Sequence, residues 1–145
     1  MTPVEKDTTH KAGLKSAAVL IVGDWLALAF FVLIGQLDHG LIGENPLPRL
    51  LTTTAELALP WTLVGWLLGA FRPVEAESWR AFLGRTLVAW LAAAPLALLL
   101  RAYLHGQAVI IVIFMAVTLA LGGLFLLAWR LVYFLYDSRR SPRPA

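Results

Sequence analysis

The stretch from Val19 to Gly40, VLIVGDWLALAFFVLIGQLDHG, is the part of the chain that decides its class. It is apolar for almost its whole length, yet it carries one carboxylate, Asp24, near its middle. A helix rises about 1.5 Å per residue and the apolar core of a bilayer is about 30 Å thick, so about 20 residues cross it. The stretch therefore predicts a membrane-spanning helix with a charged group inside it.

The composition of the whole chain agrees with that interpretation. Of 145 residues, 59% are hydrophobic and only 14% are charged, with a mean hydropathy of +0.75. A soluble domain of this length needs more polar surface, so the composition indicates a membrane protein with one domain. The chain has no cysteine, which excludes disulfides, thiolate metal sites and cysteine nucleophiles.

Four apolar segments are long enough to span a membrane, at about 16–37, 52–71, 86–104 and 108–136. Continuous apolar runs favour helices over a barrel, because a helix satisfies its own backbone in lipid. We predict an all-α polytopic membrane protein, a four-transmembrane-helix bundle over 16–136. Residues 1–15 and the basic segment 137–145 are predicted to be cytoplasmic tails.

The basic residues predict the direction of the spans. Ten of them fall on one predicted side, namely Lys6, Lys11, Lys15, Arg72, Arg80, Arg85, Arg130, Arg139, Arg140 and Arg143. The other side has only Arg49 and Arg101. Lysine and arginine concentrate on the cytoplasmic side, so both termini are predicted inside. Trp79 and Phe82, in the second loop, are predicted to rest on the inner membrane surface.

Four charges inside the spans match in depth. Asp24 and Arg130 lie about 13 Å and about 9 Å from the inner boundary, and a long arginine side chain covers the difference. Glu56 and Arg101 both lie about 6 Å from the outer boundary. A charge in a span is costly unless it is paired, so we predict the pairs Asp24–Arg130 and Glu56–Arg101. These pairs either fix the helices in register or form a proton or ion relay.

Other candidate positions are small or polar. Gly65 and Gly69 on the second span and Gly123 on the fourth are predicted to allow close helix packing. Asp38 and His39 form a possible polar site at the outer face, or simply a solvated helix end stopped by Gly40. No catalytic, metal-binding or cofactor motif is present, and nothing indicates a nucleic-acid module.

Several short motifs resemble a family of small prokaryotic integral membrane proteins, domain of unknown function 3054. The first motifs are Gly23-Asp24, Phe31-Val32-x-Ile34-Gly35 and His39-Gly40, and the next are Thr54-Ala55, Pro60, Gly65-Trp66 and Arg101. The last is Leu126-Leu127-Ala128-Trp129-Arg130. The resemblance covers about 17–130 and implies a four-span membrane protein without an assigned activity. Asp38 departs from the family pattern, which is serine-like before His-Gly.

These observations leave two main function classes open. One is a small transporter or channel-like protein that uses Asp24 and Arg130, and the other is a non-catalytic accessory or scaffold subunit of a membrane complex. A membrane-embedded enzyme has no supporting constellation, and no cofactor is expected. The expected partners are the lipid bilayer and either a second copy or a larger complex. The expected location is a prokaryotic cytoplasmic membrane.

Overall fold

The computed structural model describes residues 3–40, 45–72, 78–106 and 112–140, and all of their regular structure is helical. Helix α1 runs over Pro3–Asp38, α2 over Pro46–Leu67 and α3 over Trp79–Leu104. Helix α4, over 112–140, has three consecutive parts: an α-helical turn Val112–Val117, a π-helical segment Thr118–Gly122 and an α-helix Gly123–Arg140. The predicted all-α class is confirmed for the described residues.

Within the described part of the chain, three helical segments are long and apolar enough to cross a membrane. They are Gly13–Asp38 in α1, the whole of α3 and Val112–Arg139 in α4. Helix α2 is not among them, because its first half contains Arg49, Glu56 and three consecutive threonines that lower its hydropathy. The composition and these three helices fit a membrane protein.

The helices differ from the predicted spans at their ends. Helix α1 begins at Pro3, so most of the predicted N-terminal tail has a helical backbone, as its content of Glu, Lys and Ala allows. Helix α4 continues to Arg140, beyond the predicted end at 136, while 141–145 lie outside the described residues. The prediction for Phe82 is wrong: it lies in the first turn of α3 and is fully buried, because its ring packs against Phe134 of α4.

The helix ends follow local rules. Helix α1 stops at Asp38, and Gly40 follows with φ +63, which agrees with its predicted role as terminator. Helix α3 begins after Ser78, whose side chain accepts a hydrogen bond from the Ala81 backbone N–H at 3.3 Å. After α2, Gly69 adopts φ +72, a left-handed conformation that other residues rarely take, and the chain turns back at Ala70.

Helix α2 lies between α1 and α3, and α4 closes the bundle against α1 and α3. The core between them contains large aromatic and aliphatic side chains that are fully buried, among them Trp61, Trp90, Phe82, Leu28 and Leu126. Close packing of such residues supplies most of the favourable contact inside the bundle. Three charged side chains, Asp24, Glu56 and Arg130, are also buried and are described below.

The outside of the bundle is apolar. Large hydrophobic side chains are exposed on all four helices, with Leu26 at 67%, Leu67 at 73% and Ile113 at 75%. A soluble monomer rarely exposes apolar surface on this scale, because water would have to cover it. The exposed side chains are those expected to contact lipid.

Candidate functional site

The structure brings Asp24 of α1 and Arg130 of α4 into direct contact. Arg130 donates from Nε to Asp24 Oδ1 at 3.1 Å and from Nη2 to Asp24 Oδ2 at 2.6 Å. Trp61 of α2 donates its indole N–H to the same Oδ2 at 2.9 Å. Two parallel hydrogen bonds between a guanidinium and a carboxylate are the strongest form of this ion pair.

Two of the three remaining guanidinium N–H groups also have acceptors. Arg130 Nη1 donates to the Ala70 carbonyl oxygen at 2.5 Å and to Thr86 Oγ1 at 3.0 Å. The Thr86 hydroxyl in turn donates a hydrogen bond to the Phe82 carbonyl oxygen at 2.9 Å. The guanidinium also lies over aromatic rings, with its carbon 5.0 Å from the centroid of Phe71, a distance at which a cation is attracted to the ring face.

This centre is closed to solvent. Asp24 and Arg130 are both 0% exposed, and neither lines any of the cavities described below. Four of the five N–H groups of Arg130 have acceptors, so the pair is held by α1, α3, α4 and the turn after α2 at once. The arrangement fits an ion pair that holds the helices together better than it fits a proton or ion relay. A relay needs a path along which the proton or ion enters and leaves.

A neighbouring contact reinforces the same helix pair. An added Cβ at Gly23 would overlap the indole ring of Trp129. The adjacent pairs Gly23-Asp24 and Trp129-Arg130 therefore meet each other across α1 and α4. The glycine lets the two backbones approach closely enough for the ion pair to form.

A second ionic group lies at the other end of the bundle. Glu56 of α2 pairs with Arg101 of α3 and also contacts His105, whose Nε2 is 2.8 Å from Oε1. Glu56 is 7% exposed, whereas Arg101 and His105 are 25% and 46% exposed. Unlike the Asp24–Arg130 pair, this group borders a cavity of about 410 Å³, lined also by Arg49, Thr52 and Thr53.

A second cavity, of about 320 Å³, adjoins the first and lies between the ends of α1 and α3 and the beginnings of α2 and α4. The two cavities share Arg49, Thr53 and Arg101 in their walls. Most of the second cavity is apolar, and its wall includes Phe31, Val32, Ile34, Leu57, Phe114, Leu121 and Phe125. We call the two together the outer cavity, after the side on which the sequence predicts this end of the helices to lie.

Two buried polar side chains line the apolar part of the outer cavity. Gln36 is 6% exposed and Thr118 is 1% exposed. Neither the Gln36 amide nor the Thr118 hydroxyl has a hydrogen-bond partner among the described residues. Buried polar groups are nearly always hydrogen-bonded, so such groups beside a cavity indicate a site where water or a ligand supplies the missing bonds.

The backbone next to the outer cavity is irregular. Thr118 begins the π-helical segment of α4, and Trp90 of α3 donates its indole N–H to the Leu119 carbonyl at 2.9 Å. A π-helical segment shifts the backbone hydrogen bonds by one residue and is frequently found at functional sites. Here it sets Thr118 and Leu121 in the wall of the cavity.

The predicted outer-face residues Asp38 and His39 are exposed and line the mouth of the outer cavity. They do not contact the Glu56–Arg101 group through any described hydrogen bond or ion pair. No cluster of three or more His, Asp or Glu side chains within the described residues is arranged to hold a metal ion. Asp38 and His39, predicted as a polar site, thus form part of the rim of the outer cavity.

The predicted packing glycines have different surroundings. Gly123 lies against Trp90 of α3, where an added Cβ would be 2.9 Å from the indole ring. Gly65 instead lies against Phe71, in the turn after its own helix, and Gly69 lies outside α2 at φ +72. The predicted Gly65/Gly69 packing face is therefore wrong, because α2 ends before the second glycine.

Sequence reasoning missed several residues of these sites. Gln36, Thr118, Thr86 and Trp61 were not singled out, and Arg49 entered only as a charge in the topology argument. A glutamine inside an apolar run is a signal that could have identified Gln36, since a neutral amide in a span also needs a partner. Nothing in the sequence distinguishes Thr118 from the other threonines in the spans.

Comparison with known proteins supports the predicted family. No curated protein and no solved structure matches the chain. A family model described as "Protein of unknown function (DUF3054)" matches residues 21–133, a range that includes Asp24, Gln36, Glu56, Arg101 and Arg130. The match covers most of the chain, and the resemblance drawn from the short motifs is confirmed. The chain belongs to the DUF3054 family of proteins of unknown function.

Proposed function

We propose that this protein is a four-span, non-catalytic membrane protein that binds a small molecule in the outer cavity as a transporter does. Its membrane is a prokaryotic cytoplasmic membrane, with both termini inside. The observation that carries the proposal is the pair of buried side chains, Gln36 and Thr118, without hydrogen-bond partners at the wall of the outer cavity. The Asp24–Arg130 pair is assigned to holding the helices together, not to the path.

Helix α2 is proposed as the remaining span for two reasons. It packs between α1 and α3, both of which are long and apolar enough to cross. Its outward side chains are apolar, with Leu59, Leu63, Trp66 and Leu67 all more than half exposed. Arg49 lies near its N-terminal end, and Glu56, halfway along it, is paired with Arg101, which reduces the cost of a charge in a membrane.

The proposed direction rests on where the helix ends meet. The outer cavity is lined by the ends of α1 and α3 and the beginnings of α2 and α4, so these four lie at one end of the bundle. At the other end, the Ser16 hydroxyl is 2.8 Å from the Tyr133 hydroxyl. Most lysines and arginines belong to the end near Ser16, which favours a cytoplasmic position for it.

A single-cysteine labelling experiment tests the topology, because the chain has no natural cysteine. Single cysteines replace Glu5, Gly43, Val74, Gln107 and Ser141, and intact cells are treated with a membrane-impermeant maleimide. We expect labelling of the cysteines at 43 and 107 in intact cells, and of the other three only after permeabilisation. Labelling at 43 and 74 from the same side would show that α2 does not cross.

A second experiment tests the binding proposal. Native mass spectrometry of the full-length protein, extracted in a mild detergent, is expected to detect a bound small molecule that the double variant Gln36→Leu, Thr118→Val does not retain. The control is Arg80→Gln, which changes an exposed side chain at the start of α3 that lines neither part of the outer cavity. Equal retention by all three proteins would contradict a binding role for the two buried side chains.

An accessory or scaffold role is a second candidate, supported by a different surface. A shallow apolar cleft of about 320 Å³ lies between α1 and α4, lined by Ala18, Val19, Val22, Gly23, Leu26 and Trp129. The Trp129 indole N–H is buried without a hydrogen-bond partner among the described residues. A helix from a second copy or from another subunit could cover this cleft, and crosslinking from Val22→Cys would identify which one does.

A further inference from the structure

The wall where the two parts of the outer cavity meet, which we call the junction, is positively charged. The residues that line both of its parts are Arg49, Thr53 and Arg101, which supply two guanidinium groups and one hydroxyl. The carboxylates are distributed differently, because Asp38 lines only the apolar part and Glu56 only the polar part. A group that bridges the two parts therefore meets positive charge and hydrogen-bond donors.

The two arginines at the junction are not equivalent. Arg101 is paired with Glu56, and Glu56 also contacts His105. Arg49 is exposed and forms no hydrogen bond or ion pair with any described residue. An arginine at a cavity mouth that has no partner among the described residues keeps its planar set of donors available for a carboxylate or a phosphate.

The inner part of the outer cavity suits an apolar chain. Its wall consists mainly of aromatic and aliphatic side chains from α1, α2 and α4, including Phe31, Leu57 and Phe125. Gln36 and Thr118 interrupt this wall with donors and acceptors that have no partner among the described residues. A volume of about 320 Å³ is near the lower end of the range for small-molecule pockets, about 300–1,000 Å³, which favours one chain over two.

From these observations we infer that the outer cavity binds a single-chain anionic amphiphile. Its carboxylate or phosphate head lies at Arg49 and Thr53, its first polar atoms bond to Gln36 and Thr118, and its chain lies against the apolar wall. This inference rests on the binding role proposed above and adds the class of ligand. No covalent step is involved.

The test compares probes that share one chain and differ in the head group. Dodecanoylglycerol phosphate, dodecanoylglycine, dodecanoylglycerol and dodecanoylcholine, each with a carbonyl group between its head and its chain, are titrated into the full-length protein in phosphatidylcholine nanodiscs, with empty nanodiscs as the blank. We expect at least one anion to bind about tenfold or more tightly than the alcohol and the ammonium probe, the gain typical of a charged hydrogen bond. Which anion binds identifies the head as carboxylate or phosphate.

Substitutions at single positions test which side chains bind the anionic probes. Arg49→Gln is expected to weaken anion binding about tenfold, while Arg49→Lys retains most of it because the positive charge remains. Arg80→Gln is the matched control, since Arg80 is exposed and lies over the Trp79 ring at the start of α3, away from the outer cavity. The double variant Gln36→Leu, Thr118→Val is expected to lose binding of the anions.

The possible results separate the two proposals. Equal affinity for the ammonium probe or the alcohol, or unchanged anion binding by Arg49→Gln, would overturn the inferred ligand class but leave the outer cavity as a binding site. If no probe binds and the double variant also unfolds at a higher temperature than the natural protein, Gln36 and Thr118 have only a destabilising effect. Both the ligand class and the proposed binding function would then be wrong.

Discussion

The guanidinium of Arg130 donates to groups from three other parts of the chain: Asp24 in α1, the Ala70 carbonyl after α2 and Thr86 in α3. Moving a charge out of water is unfavourable by several kcal/mol, and the loss is recovered only when partners are placed with good geometry. The partners of Arg130 lie in α1, in α3 and in the turn after α2. The hydrogen bonds of this one side chain therefore fix the positions of these parts relative to α4.

Removing the carboxylate should therefore destabilise the bundle strongly. We expect Asp24→Asn to lower the free energy of unfolding by about 3–5 kcal/mol, because it leaves the Arg130 charge buried and unbalanced. The measurement is reversible denaturation in detergent micelles, followed by tryptophan fluorescence. A double-mutant cycle with Arg130→Gln should show that the two losses are not additive. Additive losses would mean that the two side chains do not act as a pair.

The glycine next to Asp24 has its own test. Gly23→Ala should lower the free energy of unfolding by about 1–3 kcal/mol, as overpacking does, because the new methyl group would overlap the Trp129 ring. Gly84→Ala is the control, since a Cβ at this exposed position in α3 has no neighbour within 4 Å and alanine has the higher helix propensity. Thermal unfolding of both variants should give shifts of opposite sign.

At the scale of elements, α4 is the helix whose regular form is interrupted. The π-helical segment Thr118–Gly122 lies where Trp90 of α3 packs against Gly122 and Gly123 and donates to the Leu119 carbonyl. The Leu119 carbonyl also accepts a hydrogen bond from the Gly123 backbone N–H, so the indole N–H of Trp90 is a second donor to this oxygen. Trp90 therefore adds a hydrogen bond from a neighbouring helix to the irregular segment.

This hydrogen bond predicts the effect of changing Trp90. Trp90→Phe should lower the free energy of unfolding by about 1–3 kcal/mol, because it removes the indole hydrogen bond to the Leu119 carbonyl and reduces the volume of a buried side chain. Trp79→Phe, in the same helix but half exposed, should change it by less than about 0.5 kcal/mol. Denaturation of both variants in the same detergent makes the comparison, and equal effects would contradict the role given to the indole N–H.

For the whole molecule, the charges inside the four predicted spans are divided by sign. The first two spans contain Asp24 and Glu56, and the last two contain Arg101 and Arg130. Each half therefore has two uncompensated charges within its apolar segments until it meets the other half. Association of the halves neutralises both pairs at once, near opposite ends of the bundle.

Two separately expressed halves should therefore assemble. We expect residues 1–74 and 75–145, co-expressed with a tag on one half, to be purified together from membranes, because each half supplies the countercharges of the other. Asp24→Asn in the first half should reduce the recovered second half severalfold, whereas Arg80→Gln in the second half should not. Recovery unaffected by Asp24→Asn would show that apolar packing alone joins the halves.

The fold class could be predicted from the sequence, and the candidate site only in part. The lengths of the apolar runs indicate helices, and the depths of Asp24 and Arg130 along their helices agree with the contact in the structure. The prediction for Phe82 failed because an aromatic residue near a predicted boundary can face lipid or the core. The sequence alone contains no information on the rotation of α3 that turns this ring inward.

By itself the sequence determined the helical class, the family, the apolar character of the surface and the matching depths of the charges. These properties depend on composition and on position along a helix, which are local. Only the tertiary structure decided that the Ala70 carbonyl, Thr86 and Trp61 complete the ion pair, and that Gln36 and Thr118 share a cavity wall. Such contacts depend on how each helix is rotated about its axis and where each turn reverses the chain, which packing between distant residues determines.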